Sequence, residues 1–135
     1  MIIKRLWPSV AWALFILLLT GMPGAYVPKV TSFLDWASPD KIVHFILFGG
    51  LAYLILYGYS NYFNGGEKSL GIIITAILIA TLYGLLTEVL QHYVFIGRNG
   101  NIFDFVADAI GAVIGFLAFY LLNIKKTNRN YVDKD

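Results

Sequence analysis

The sequence contains no cysteine. That absence excludes a disulfide framework, a thiolate metal site and a cysteine nucleophile. Charge is nearly as scarce: ten basic and eight acidic side chains make up 13% of the 135 residues, about half the share found in ordinary soluble domains. A soluble chain this short exposes much of its surface and needs polar residues to cover it, so a water-soluble globular protein is excluded. Disorder is excluded as well, because a 16% aromatic share is far too apolar for a solvated coil. The net charge of +2 is small and dispersed, which argues against a nucleic-acid partner. What the chain has in excess is apolar side chain, 59% of the total. The remaining class is a small polytopic membrane protein.

Four apolar stretches carry that excess: about Leu6 to Met22, Ile42 to Tyr59, Leu70 to about Phe95, and Phe105 to Ile124. Each is near the roughly 20 residues a helix needs to cross a hydrocarbon core. Unbroken runs of this length contradict a small barrel, whose strands are short and alternating. The expected fold is an all-α membrane protein, a four-helix transmembrane bundle over residues 1–124 with a polar tail at 125–135. Gly21, Pro23, Gly24 and Pro28 break the chain after the first span, and Lys29 to Trp36 carries apolar residues at helical spacing suited to a membrane surface. Asn61 to Lys68 and Gly97 to Asn101 read as turns. Tyr53, Tyr57, Tyr59, Tyr62 and Phe63 read as an interfacial aromatic belt.

Basic residues set the expected orientation. With the N-terminus in the cytoplasm, seven of them (Lys4, Arg5, Lys68, Lys125, Lys126, Arg129 and Lys134) lie inside and three (Lys29, Lys41 and Arg98) outside, so both termini are expected inside. Lys4 and Arg5 ahead of a short apolar run also resemble a signal peptide, but Met22 occupies a recognition position that cleavage reserves for a small residue.

In that orientation the polar residues of the spans gather at the outer end. Asp40, Lys41 and His44 belong to the second span, Glu88, Gln91 and His92 to the third, and Asp104 and Asp108 to the fourth. A carboxylate in the hydrocarbon region costs several kcal/mol, so such a residue normally faces a protein interior. Helical spacing sharpens the picture. Lys41, His44 and Phe48 share one face; Thr81, Gly84, Glu88 and Gln91 share another; Asp104, Asp108, Gly111 and Gly115 form a third stripe. Gly111 and Gly115 are a small-xxx-small pair that admits a close helix. The expected result is a shallow polar cavity opening outward. Asp40, Glu88, Asp104 and Asp108 against Lys41 and Arg98 leave it two negative charges short of neutral. Protonated carboxyls, cationic histidines or a bound cation would each remedy that.

Each residue also has a bland reading. Glu88 with His44 fits proton handling, or Glu88 fits an ion pair with Arg98 or Lys41. His44 fits a proton shuttle, or a hydrogen bond to Asp104 or Asp108. Lys41 and Arg98 fit a phosphate grip, or anchoring of helix ends. Asp40 and Asp104 fit helix N-caps. Glu88 and His92, four apart, offer two metal ligands, but spacing fixes no third or fourth, so no metal and no cofactor is assigned.

Asp40-Lys41-x-x-His44, then Glu88-x-x-Gln91, then Arg98 followed by Asp104 and a glycine-rich helix, resembles the VanZ-like family of small bacterial membrane proteins. The resemblance covers roughly residues 6–124. It implies a multi-pass protein of the bacterial cytoplasmic membrane, in a family whose namesake is associated with low-level resistance to the glycopeptide teicoplanin. Asp108 departs from the pattern, since many relatives carry asparagine there. The expected function is recognition or processing of a phosphate-bearing headgroup, such as a cell-wall lipid intermediate or glycopeptide-related ligand. Glu88, His44 and Asp104 are the catalytic candidates; Asp40, Lys41, Gln91, Arg98 and Asp108 are the binding candidates. No nucleophile stands out. A proton-coupled carrier and a purely structural or assembly protein are the alternatives.

Overall fold

In hydrocarbon a backbone must satisfy its own polar groups, and a continuous apolar run does so as a helix. A computed structural model describes residues 3–23, 39–63 and 67–124. These form α1 (Ile3–Thr20), α2 (Pro39–Gly58), α3 (Glu67–Tyr93) and α4 (Ile102–Phe119). A 3₁₀ turn at Ser60–Tyr62 follows α2, and a π-helical turn at Tyr120–Ile124 extends α4. There is no strand among the described residues. The protein is an all-α membrane protein of four helices, of which three among the described residues, α2, α3 and α4 with its extension through Asn123, are each long and apolar enough to cross a membrane; α1, expected as the first span, is not among them. The expected surface segment at Lys29 to Trp36, the centre of the turn at Asn64–Gly66 and the polar tail lie outside the described residues.

The helix ends differ from the apolar runs in instructive ways. α1 starts at Ile3, so Pro8 is its sixth residue rather than part of its first turn, and the missing N–H leaves the Lys4 carbonyl without its usual helix donor. α2 starts at Pro39, whose fixed φ suits the first helical position. Asp40 therefore lies inside the first turn, where its charge meets the positive end of the helix dipole. α4 is capped by Asn101, whose side chain accepts from the Phe103 N–H at 3.0 Å. Asp104 is thus the third helical residue and not the cap. α3 stops at Tyr93, and Gly97, with φ of +70°, turns the chain toward α4 in a backbone region that favours glycine.

α2 is the central helix: 44% of its span is buried, against 22% for α3 and 28% for α4. Its Leu47, Phe48, Leu51, Ala52, Ile55 and Leu56 build the core with Ile16, Ala76, Ala80, Ala112 and Phe119. α2 and α4 meet backbone to backbone. A Cβ on Gly111 would fall on the backbone of Phe45, and one on Gly115 on the backbone of Gly49. The small-xxx-small stripe of α4 is therefore occupied by α2 of the same chain, not left open for a partner subunit. α1 docks through directional bonds. Trp12 Nε1 donates to the Leu47 carbonyl at 2.9 Å, Tyr83 donates its hydroxyl to the Ala13 carbonyl at 2.8 Å, and Gln91 Nε2 donates to the Thr20 carbonyl at 3.2 Å. Around this core, Leu78, Ile79, Leu82, Leu85, Leu86 and Val89 of α3 stay exposed, an apolar face far larger than a soluble monomer tolerates.

The aromatic belt divides. Tyr57 and Tyr62 are exposed, whereas Tyr53, Tyr59 and Phe63 pack against the core. Phe63 and Tyr53 both contact Phe119, with ring centroids 5.1 and 6.0 Å apart.

Candidate functional site

The antiparallel topology brings the start of α2, the end of α3 and the start of α4 to one end of the bundle, and there the ionisable residues meet. His44, Glu88, Asp104 and Asp108 are all buried, Asp108 completely. His44 sits at the centre. Its Nδ1 is 3.0 Å from Asp108 Oδ1 and 3.6 Å from Glu88 Oε1, so three helices contribute to one contact. Of the two hydrogen-bond partners expected for His44, Asp108 is the one it meets. The imidazole stacks on Phe48 one turn further along α2, with centroids 6.0 Å apart, which holds the ring plane.

Asp108 fits because α3 has no side chain opposite it. A Cβ on Gly84 would lie 2.6 Å from Asp108 Oδ2 and 2.9 Å from Asp108 Cβ. Glu88 is held from its other side: Oε2 accepts the Asn101 backbone N–H at 2.6 Å, which ties the α3–α4 turn to α3. The expected pairing of Glu88 with Arg98 or Lys41 gives way to these contacts. Arg98 reaches Asp40 at 3.9 Å, and Lys41 reaches Asp104 at 4.0 Å. Both separations are at the outer limit of an ion pair. Glu88 also lies closer to the helix end than the apolar run implied. With α3 ending at Tyr93, five residues at 1.5 Å each put it about 7.5 Å in, rather than about 10 Å.

Three side-chain oxygens in this cluster have no hydrogen-bond partner: Glu88 Oε1, Asp104 Oδ1 and Asp108 Oδ2. Buried polar atoms are almost always satisfied in native proteins, so three such oxygens at one place make this cluster the candidate ligand site. A shallow cleft of about 210 Å³ reaches Glu88 from the α3–α4 side, between Leu85, Val89, His92, Asn101 and Phe105. Its walls are mostly apolar.

Seven of the eight candidate residues are brought into this cluster: Asp40, Lys41, His44, Glu88, Arg98, Asp104 and Asp108. Gln91 is not. It is buried against α1, and its amide donates to the Thr20 carbonyl. His92 is exposed, with its ring edge on Tyr93 at 4.6 Å, so the metal pair suggested by the Glu88–His92 spacing does not form. Thr81 is only half-buried, and the threonine inside the bundle is Thr87, which donates to the Gly84 carbonyl at 2.8 Å. Asn101, in the sequence only the end of a turn, is the cap of α4 and a donor to Glu88; a residue of capping type three positions before Asp104 is a recognisable helix-start signal.

The VanZ/LLP1 family model matches residues 5–123. The chain belongs to the VanZ/LLP1 family. The match spans all four helices and every residue of the cluster, so a VanZ-family fold is what brings Asp40, His44, Glu88, Arg98 and Asp104 to one end. No curated protein and no solved structure matches the chain significantly.

Proposed function

We propose that this VanZ-family membrane protein lies in the bacterial cytoplasmic membrane with both termini inside. Its polar cluster then faces outward and binds an anionic, phosphate-bearing headgroup of a cell-wall lipid intermediate, which alters susceptibility to glycopeptides such as teicoplanin. The observation that carries this reading is the pair of cations at the cluster. Lys41 and Arg98 come from different elements and stand beside Asp104 and Asp40 at 4.0 and 3.9 Å. Contacts this long are weaker than charge-assisted hydrogen bonds of about 2.8 Å, so a phosphate outcompetes them. Arg98 presents a planar fork and Lys41 a point charge. The apolar cleft beside Glu88 suits the first carbons of a lipid chain. Glu88, His44 and Asp104 handle protons in any reaction on that headgroup.

The carrier reading is less well supported. Below His44 the interior is closed by Leu47, Phe48, Leu51, Ile55 and Leu56, so a proton entering the cluster meets an apolar plug.

The test is native mass spectrometry of purified protein titrated with an isoprenyl phosphate or with phosphatidylcholine. Retention of the isoprenyl phosphate alone, weakened in Arg98→Ala and Lys41→Ala, is expected, together with a shift in teicoplanin susceptibility that Arg98→Ala removes. Equal retention of both lipids by the wild type, or no effect of either substitution, overturns the reading.

A further inference from the structure

We infer that His44, Glu88 and Asp108 bind a divalent first-row transition cation, Zn²⁺ or Mn²⁺, with at least one coordination position left open. Each offers one ligand atom, and these atoms lie within 4.8 Å of one another. The two separations from His44 are near those of a coordination polyhedron. Bonds of about 2.1 Å place neighbouring ligands about 3.0 Å apart in an octahedron and about 3.4 Å apart in a tetrahedron. The His44–Asp108 and His44–Glu88 separations are 3.0 and 3.6 Å.

A second, independent observation points to the same ligand. Glu88 Oε1, the atom that faces His44 Nδ1, is buried without a hydrogen-bond partner, on a side chain more than nine-tenths buried. A cation between the two carboxylates and the imidazole satisfies it. Charge agrees as well. Asp40 and Asp104 face Arg98 and Lys41, whereas Glu88 and Asp108 face His44. Two carboxylates and a neutral imidazole sum to −2, which a dication balances.

The donor set narrows the class of metal. One imidazole nitrogen with carboxylate oxygens suits Zn²⁺ and Mn²⁺ better than Ca²⁺ or Mg²⁺, which prefer oxygen alone. The supporting shell is already in place: Asn101 N–H fixes Glu88 from behind, Phe48 holds the imidazole plane, and Gly84 makes room for Asp108. Such outer contacts orient ligands before the metal arrives. Three protein ligands leave a further position for water or a ligand oxygen, the pattern of reactive rather than purely structural sites. A bound cation displaces the proton from His44 Nδ1, so in the cation-bound protein His44 and Glu88 are ligands and only Asp104 keeps the proton role proposed above.

Cation binding does not depend on the headgroup reading, because it is measured on the protein alone. The experiment is titration of chelator-stripped, detergent-purified protein with Zn²⁺ and with Mn²⁺, followed by calorimetry and by native mass spectrometry. One equivalent per chain of at least one of them is expected, undisplaced by equimolar Mg²⁺ or Ca²⁺. Affinity should fall at least about tenfold in His44→Ala and Asp108→Asn. Should those variants fail to fold, Co²⁺ added to the wild type gives the same answer: a visible spectrum of nitrogen and oxygen ligation, lost on acidification as protons compete for Nδ1. A wild type that takes up neither cation and shows no Co²⁺ spectrum overturns the inference, as does undiminished binding in folded His44→Ala. Isoprenyl phosphate retention without cation uptake would refute this site and leave the headgroup reading standing.

Discussion

Replacing Gly115 by alanine tests whether the close α2–α4 approach holds the polar cluster together. The added Cβ would stand 2.9 Å from Gly49 C and 3.0 Å from Gly49 Cα, where ordinary contact begins at 3.4 Å. The obstacle is backbone, so no rotamer change relieves it, and α2 must move away from α4 by at least about 0.5 Å. The Gly49 carbonyl oxygen lies closer still and raises the shift toward about 1 Å. His44 and Asp108 lie on these same two helices, and widening their 3.0 Å contact by that amount takes it beyond hydrogen-bond range. Overpacking costs about 1–3 kcal/mol, and loss of an interhelical hydrogen bond in a membrane bundle costs about 0.6–1.7 kcal/mol. Gly71→Ala is the matched control, since a Cβ there meets nothing within 4 Å. Both substitutions gain the same helix propensity, which cancels in the comparison. Gly115→Ala should therefore unfold about 1.5–4.5 kcal/mol more easily than Gly71→Ala, read by equilibrium unfolding in mixed micelles. A difference below about 0.5 kcal/mol would refute the backbone-contact argument.

Four further outcomes are expected. Trp12→Phe removes the donor to Leu47 but keeps an aromatic ring over Gly50, and should cost about 0.6–1.7 kcal/mol in the same unfolding assay; an unchanged stability would show that α1 docks by packing alone. Glu88→Ala strips the acceptor from the Asn101 N–H and should speed hydrogen exchange at Asn101 about tenfold or more, with unaltered protection there counting against the Glu88 tie. Because the chain has no cysteine, Ile96→Cys and Lys68→Cys report opposite bundle ends without background. The first should react with a membrane-impermeant maleimide in intact cells and the second only after lysis, and the reverse pattern would place the cluster in the cytoplasm. Proteoliposomes of the wild type should pass protons no faster than empty ones, since the apolar layer from Leu47 to Leu56 interrupts any relay; a flux abolished by Glu88→Gln would revive the carrier.

Much of the site is visible before folding because helix geometry is local. The stripe of Asp104, Asp108, Gly111 and Gly115 follows from the helical period alone, and all four are buried. The same period groups Lys41, His44 and Phe48. Partners across helices are another matter. Glu88 has Arg98 only ten residues ahead and still faces His44 and accepts from the Asn101 backbone, because the turn at Gly97 carries Arg98 toward Asp40. Gln91 shares a face with Glu88, but one turn further along that face meets α1 instead of α2 and α4. Thr87 stands three residues after Gly84 and four before Gln91, on the buried stripe, whereas Thr81 falls one residue past the buried Ala80 and so turns partly outward.

The chain's composition and its runs of apolar residues determined a helical membrane bundle, since hydrocarbon leaves the backbone no other economical state at these lengths. Residue order also determined which end of each helix carries the ionisable groups. Only the tertiary structure decided that one imidazole stands between two buried carboxylates from two other helices. That contact depends on Gly84, Gly111 and Gly115 letting backbones approach, and distances across helices are set by packing that no single-helix period encodes.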